Sequence, residues 1–327
     1  MSQEHHDSEG NHGGTGGKLS FALRGYSPFV QWLQLLLGVG VIGFLVYRLN
    51  AIGWAAIWHA LPRNFWFYAL FAVWYLAIPV SECFIYRRLW NCRLSHPLPI
   101  LLRKRVLNFG ILGYLGEGYF AYWAHHNLGL SMHRALAAIK DSDILSALVS
   151  NFATVALVVV FLSTGELQTY VGSMPHFPEL FVVFGGVVFI AILTVILLRR
   201  RIFAVDTRGA IFVTACHMAR LIVMMLAQVG QWSSVLPHVA MATWLTFLTA
   251  QMVMTRIPFL PSQDLMNLGL GVALASVVDA PAAAIAGIFV ATGALSQIVN
   301  LIVFGATAVI GYDGEVRMPK PGERGLP

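Results

Sequence analysis

The sequence predicts an all-α, polytopic membrane helix bundle with about 7–9 hydrophobic segments, two of them interrupted or re-entrant and relatable as an internal repeat. Three observations lead there. Of 327 residues, 57% are hydrophobic and only 11% are Asp, Glu, Lys or Arg, against roughly 25% charged residues in ordinary soluble domains. Apolar runs of about 20 residues, the length needed to cross a hydrocarbon core of roughly 30 Å, recur along the chain. Basic residues cluster between certain runs and are missing between others. The mean hydropathy is +0.71. A surface this poor in charge excludes a soluble enzyme, a disordered chain and a nucleic-acid-binding module. The net charge of +6 then reflects basic cytoplasmic loops.

Clear spans are expected at residues 29–47, 65–84, 144–163, 180–198, 210–229, 238–255 and 281–304. Segments 106–124 and 257–280 are interrupted by Gly, and the second also by Pro258 and Pro261. The expected domains are a Gly/His-rich disordered tail over 1–24, a single transmembrane domain over 25–311 and a polar tail over 312–327. The first stretch does not read as a cleaved signal peptide. Cys83, Cys92 and Cys216 form no CxxC and no metal spacing, so they read as apolar fillers. Trp54, Trp58, Trp66, Trp74, Trp90 and Trp123 read as interface belts.

Loop charge orders the topology. Arg87, Arg88, Arg93, Arg103, Lys104 and Arg105 are read as one cytoplasmic loop, and Arg199, Arg200, Arg201 and Arg208 as another. Residues 164–179 hold Glu166 and Glu179 but no Lys or Arg, so they belong outside. The parity between these loops is restored if 106–124 enters and leaves on the cytoplasmic side. Arg134 and Lys140 then lie in an inside loop. Segment 257–280 is open between re-entrant and spanning, and with it the side of the C-terminus.

The two interruptions can be laid over each other: Asn108-Phe-Gly-Ile-Leu-Gly-Tyr-Leu-Gly-Glu117 and Arg256-Ile-Pro-Phe-Leu-Pro-Ser-Gln-Asp264. Broken helices at membrane depth are tolerated where they are buried in protein or line a wet cavity, and paired breaks point to a transporter's central site. Glu117 and Asp264 follow their breaks. They are either first-turn acids facing a helix dipole or groups that handle a proton or a cationic headgroup. Arg220 lies deep in its span and is either a partner for an acid or a phosphate ligand. Arg256 is either an interfacial anchor or part of the site. Glu82 reads as an interfacial ion pair with Arg87 and Arg88. His125, His126 and His133 lack the repeated boxes of a di-iron membrane enzyme. No Gly-rich phosphate loop, GxSxG or HExxH is present, so neither hydrolytic nor nucleotide-driven chemistry is expected.

On these two motif zones, Pro281-Ala-Ala-Ala and a final long span, residues 25–310 resemble the transmembrane, flippase-type region of lysylphosphatidylglycerol synthases and its stand-alone relatives. That family's second motif has two glycines where Ser262 and Gln263 stand, and its first motif has a proline that is missing here. The resemblance implies movement of a lipid or lipid-linked group between leaflets. Without the soluble aminoacyl-transferase domain, lysine transfer is not expected. In this reading Arg256, with Arg220, holds a lipid phosphate. Glu117 and Asp264 balance a cationic headgroup or couple to protons, and Asn108 and Gln263 complete the polar lining. The expected partners are membrane phospholipids, with a homodimer or other membrane subunits. No cofactor, nucleic acid or catalytic residue is expected, and the expected location is a bacterial inner membrane. Two rivals stand beside this reading: a non-catalytic subunit of a membrane complex, and a lipid-modifying enzyme using His125, His126 or Glu117.

Overall fold

The computed structural model describes residues 61–91, 97–110, 115–163, 201–255 and 282–309, Gly43, and isolated helical positions between 185 and 198. Every extended element among the described residues is helical: α1 (Phe65–Trp90), α2 (Pro97–Gly110), α3 (Leu115–Leu128), α4 (Met132–Ser163), α5 (Thr207–Val235), α6 (Met241–Met254) and α7 (Ala282–Val309). Helices Phe65–Trp90, Met132–Ser163 and Thr207–Val235, with Gly287–Thr307 of α7, are long and apolar enough to cross a membrane. The expected span 29–47, apart from Gly43, and segment 257–280 lie outside the described residues.

The helix ends follow local chemistry. Asn64 caps α1 by accepting a hydrogen bond from the Trp66 N–H, and Asn91 ends it with φ 49°, a left-handed turn that Asn tolerates. Ser131 Oγ accepts from the Arg134 N–H at the start of α4. Asp206 caps α5 through Gly209. Within the helices, Thr154, Thr214, Thr246, Thr249, Thr292 and Thr307 each donate to the carbonyl four residues back. A hydroxyl satisfied by its own helix can sit in hydrocarbon without an orphaned donor.

The bundle is apolar outside, and its mainly apolar interior also takes in charge. Phe84 is 57% exposed and Leu226 69%, with Phe152, Val159, Ile211 and Ile222 also on the surface. Glu82, Lys104, Arg105, Asp141, His217, Gln231 and Asn300 are buried among apolar side chains. An apolar outer face suits a lipid solvent, which accepts apolar side chains and rejects charge.

Register fixes the directions. Asn64 Nδ2 donates to the Ser234 carbonyl at 2.6 Å, Leu70 packs on Gly230, and Ile85 clusters with Val213. One index rises as the other falls, so α1 and α5 are antiparallel. Ser142 meets His217 and Ser146 meets Arg220, so α4 runs parallel to α5. The C-terminus of α1 and the N-termini of α4 and α5 therefore share one end of the bundle. Arg87, Arg88, Arg134, Lys140, Arg201 and Arg208 gather there. α7 packs Ile285 and Phe289 with Phe67 at the far end and places Asn300 against Tyr75, so it runs back toward the basic end.

Several sequence expectations change. Arg134 and Lys140 are not in a loop, because α4 begins at Met132 and carries both. The helix found in 238–255 has 14 residues, about 21 Å of rise, which is shorter than a crossing. Segment 106–124 is replaced by two helices, with α2 starting at Pro97. Pro suits a first helical turn, where its missing N–H is no loss.

Asp141 fastens the basic end. Buried at 1% exposure, it accepts from the N–H groups of Ala204 and Val205 at 2.8 and 2.9 Å and pairs with Lys140 at 3.0 Å. Lys140 also donates to the Ile202 carbonyl. Asp141→Ala is expected to cost about 1–2 kcal/mol, since it removes the acceptor of two partly buried N–H groups and the partner of Lys140. A lower melting temperature, with faster amide exchange at Ala204 and Val205, would register it.

Candidate functional site: a buried ionic hub on a helical hairpin

The hairpin α2–α3 holds the site. Asn108 meets Gly116 and Glu117, Lys104 meets Glu117 and Phe120, and Arg103 meets Tyr119. This falling-and-rising order means the chain reverses between the two helices. The hairpin leaves from and returns to the basic end, because α1 finishes there and α4 starts there. Its depth is set by Arg105, which lies over Tyr75 at 4.3 Å. Tyr75 is well inside α1, about 22 Å from its C-terminus at 1.5 Å per residue.

Residues 103, 104 and 105 step about 100° apart around α2, so three consecutive cations face three directions. Arg103 sits between the rings of Tyr119 and Phe304, each at 5.3 Å. Arg105 lies over Tyr75 and Trp74, and the Tyr75 hydroxyl donates to Asn300 Oδ1 at 2.7 Å. Lys104 turns inward and is 1% exposed. Its Nζ lies 2.7 Å from Glu82 and 2.9 Å from Glu117, and 3.5 Å from the Tyr86 hydroxyl. The rings of Tyr86 and Phe120 flank it at 5.2 and 5.4 Å. Glu82 and Tyr86 are one helical turn apart on α1, so they present a single face to the ammonium.

Asn108 closes the hairpin. Its amide donates to Glu117 Oε1 at 2.9 Å and its oxygen accepts from the Gly116 N–H at 2.7 Å, which caps α3 from the neighbouring helix. The approach needs Gly116. A Cβ there would lie 2.5 Å from Asn108 Oδ1 and nearer still to the Lys104 carbonyl oxygen.

Arg220 of α5 donates to Ser146 Oγ at 2.8 Å and lies within electrostatic reach of Glu82, Tyr86 and Asp143. Asp143 of α4 lies within electrostatic influence of Glu117, Lys104, Glu82 and Arg220. Five helices thus bring three acids (Glu82, Glu117, Asp143) and three bases (Lys104, Arg105, Arg220) into one formally neutral interior cluster. Lys104, paired with both Glu82 and Glu117, has the partners that burial in low dielectric demands.

Of the residues singled out from sequence, Asn108 and Glu117 meet directly, and Arg220 borders the same cluster. Arg256, Gln263 and Asp264 lie outside the described residues. Glu117 occupies the first turn of α3 and also pairs with Lys104, so its two readings meet in one position. Glu82 does not form an interfacial pair with Arg87 and Arg88; its partner is Lys104. Arg103, Lys104 and Arg105 are not loop residues but the middle of α2. Lys104, Arg105, Asp143, Tyr75 and Tyr86 were missed as site residues. The one-turn spacings Glu82/Tyr86 and Lys104/Asn108 were the available signal. His125 bonds with the Leu130 carbonyl at 2.6 Å, and His126 stacks on Tyr122. Among the described residues no group of three or more His, Cys, Asp or Glu could hold a metal ion.

Comparison with family models, curated proteins and solved structures gave no match to this chain.

Proposed function

We propose that this chain is an integral membrane lipid translocase of flippase type, moving a phospholipid or lipid-linked group between the leaflets of a bacterial inner membrane. The observation that carries this reading is the hairpin that begins and ends at the basic end, yet brings Lys104 and Arg105 into the interior beside Glu82, Glu117 and Asp143. Interior charge is costly in a membrane protein and marks pathways for charged groups. The hairpin is read as re-entrant from the cytoplasmic side, since basic ends stay inside. Arg256, Gln263 and Asp264 are assigned to an opposing break, with Arg256 and Arg220 on the lipid phosphate. Glu117 and Asp264 balance the headgroup or carry protons. The resemblance in the two motif zones supports the same class, and no catalytic step is assigned.

Leaflet exchange of fluorescent phospholipids in proteoliposomes tests this. Glu117→Gln and Asp264→Ala are each expected to slow exchange by about tenfold, the equivalent of about 1.4 kcal/mol. Wild-type rates in both variants would remove the assigned site. A second reading, a non-catalytic subunit of a larger membrane complex, is favoured by one observation: the Lys104 ammonium is fully enclosed and matched, as a structural hub would be. Stoichiometric co-purification with another membrane protein, together with no exchange of anionic, zwitterionic or aminoacylated lipids, would select that reading.

A further inference from the structure

At the basic end, the last turn of α1, the first turns of α4 and α5 and residues 204–206 form an open cavity of about 440 Å³, lined by Arg88, Trp90, His133, Arg134, Asp141 and Asp206 among others. We propose that this cavity binds a phosphate-bearing anion, either the headgroup of an anionic phospholipid or free phosphate.

The charge on its wall is the first argument. Both carboxylates are already engaged: Asp141 by two backbone N–H groups and Lys140, and Asp206 by the Gly209 N–H. Arg88 and Arg134 are exposed, and among the described residues neither guanidinium has a partner. Two long helices begin at this wall and α1 ends there, so the two positive N-termini are offset in part by the α1 C-terminus and by Asp206 capping α5, and the net charge rests on the arginines. The unmatched charge is therefore positive, and it comes in the planar, forked form that suits phosphate oxygens.

Size and depth are the second argument. The volume lies within the range of small-molecule sites, about 300–1,000 Å³, so a phosphate and the polar remainder of a headgroup both have room. Trp90 is 4% exposed, and its indole N–H is buried without an acceptor among the described residues. An indole beside arginines at the end of a spanning helix marks the headgroup level of a bilayer. This site stands whether or not the chain moves lipid, because binding is read without transport.

The test uses the full chain in nanodiscs of equal parts phosphatidylglycerol and phosphatidylcholine. One arm titrates inorganic phosphate by calorimetry; the other measures by native mass spectrometry which lipid stays bound. The Arg88→Gln, Arg134→Gln pair is expected to weaken the anion by about tenfold for each guanidinium removed. Arginine-dependent phosphate binding identifies a soluble ligand. Arginine-dependent retention of phosphatidylglycerol without phosphate binding identifies a lipid. Ala137→Phe, which fills the cavity and leaves the arginines in place, is expected to abolish binding in either arm. Unchanged binding in the double variant, or wild-type binding in Ala137→Phe, would overturn the proposal.

Discussion

Lys104→Met is expected to destabilise the folded protein by about 3–5 kcal/mol, the cost of breaking a buried ion pair by removing one partner. The side chain is nearly isosteric, so packing against Tyr86 and Phe120 is largely kept. What is lost is the ammonium that holds Glu82 and Glu117 together at 2.7 and 2.9 Å. The two carboxylates then share a buried site with like charge and no common donor. Neutralising them as well, in a Lys104→Met, Glu82→Gln, Glu117→Gln triple variant, is expected to restore most of the loss, because the desolvation cost disappears with the charges. Reversible unfolding in mixed micelles measures both. A single variant within about 1 kcal/mol of wild type would show that the cluster is not what fastens the hairpin.

Gly116→Ala is expected to cost about 1–3 kcal/mol, the usual penalty of overfilling a packed contact, and to separate α2 from α3. The added methyl meets backbone on one side and the Asn108 amide on the other, neither free to move without breaking the clasp to Glu117. Gly118, two residues on, is the matched control. A Cβ there meets nothing within 4 Å, so Gly118→Ala is expected to be neutral or to stabilise α3 by up to about 1 kcal/mol through helix propensity. Melting temperatures of the two variants falling together would refute the close-approach argument; falling apart in the stated order would support it.

The membrane class and the long spans were legible because they depend on length and hydropathy. Phe65–Trp90 and Thr207–Val235 contain the expected apolar cores with longer ends. Loop-charge parity led to the expectation of a re-entrant segment 106–124; what the described residues show is a reversal of the chain there, between α2 and α3. The interior of this hairpin was not legible. Arg103, Lys104 and Arg105 look like loop charge because a one-dimensional reading treats consecutive cations as one solvated patch, whereas a helix sends them in three directions. Lys104 meets Glu82 from a different helix, so no local pattern announces the pair. Glu117 and Asn108 were found because the Gly-rich break between them is itself a sequence signal. Arg134 and Lys140 were misplaced for a related reason: amphipathic first turns at an interface carry charge while remaining helical.

The hairpin also has a consequence for biogenesis. A segment holding three consecutive cations is a poor substrate for lateral release from the translocon, and on the re-entrant reading Lys104 depends on neutralisation by Glu82 and Glu117. Glu82 leaves the ribosome before Lys104, and Glu117 soon after. The counterions therefore arrive in the same short stretch of nascent chain. On the re-entrant reading proposed above, the hairpin stays on the cytoplasmic side while α1 inserts, and Lys104 is neutralised as the hairpin packs Glu117 and Lys104 against Glu82, leaving Arg103 and Arg105 against aromatic rings.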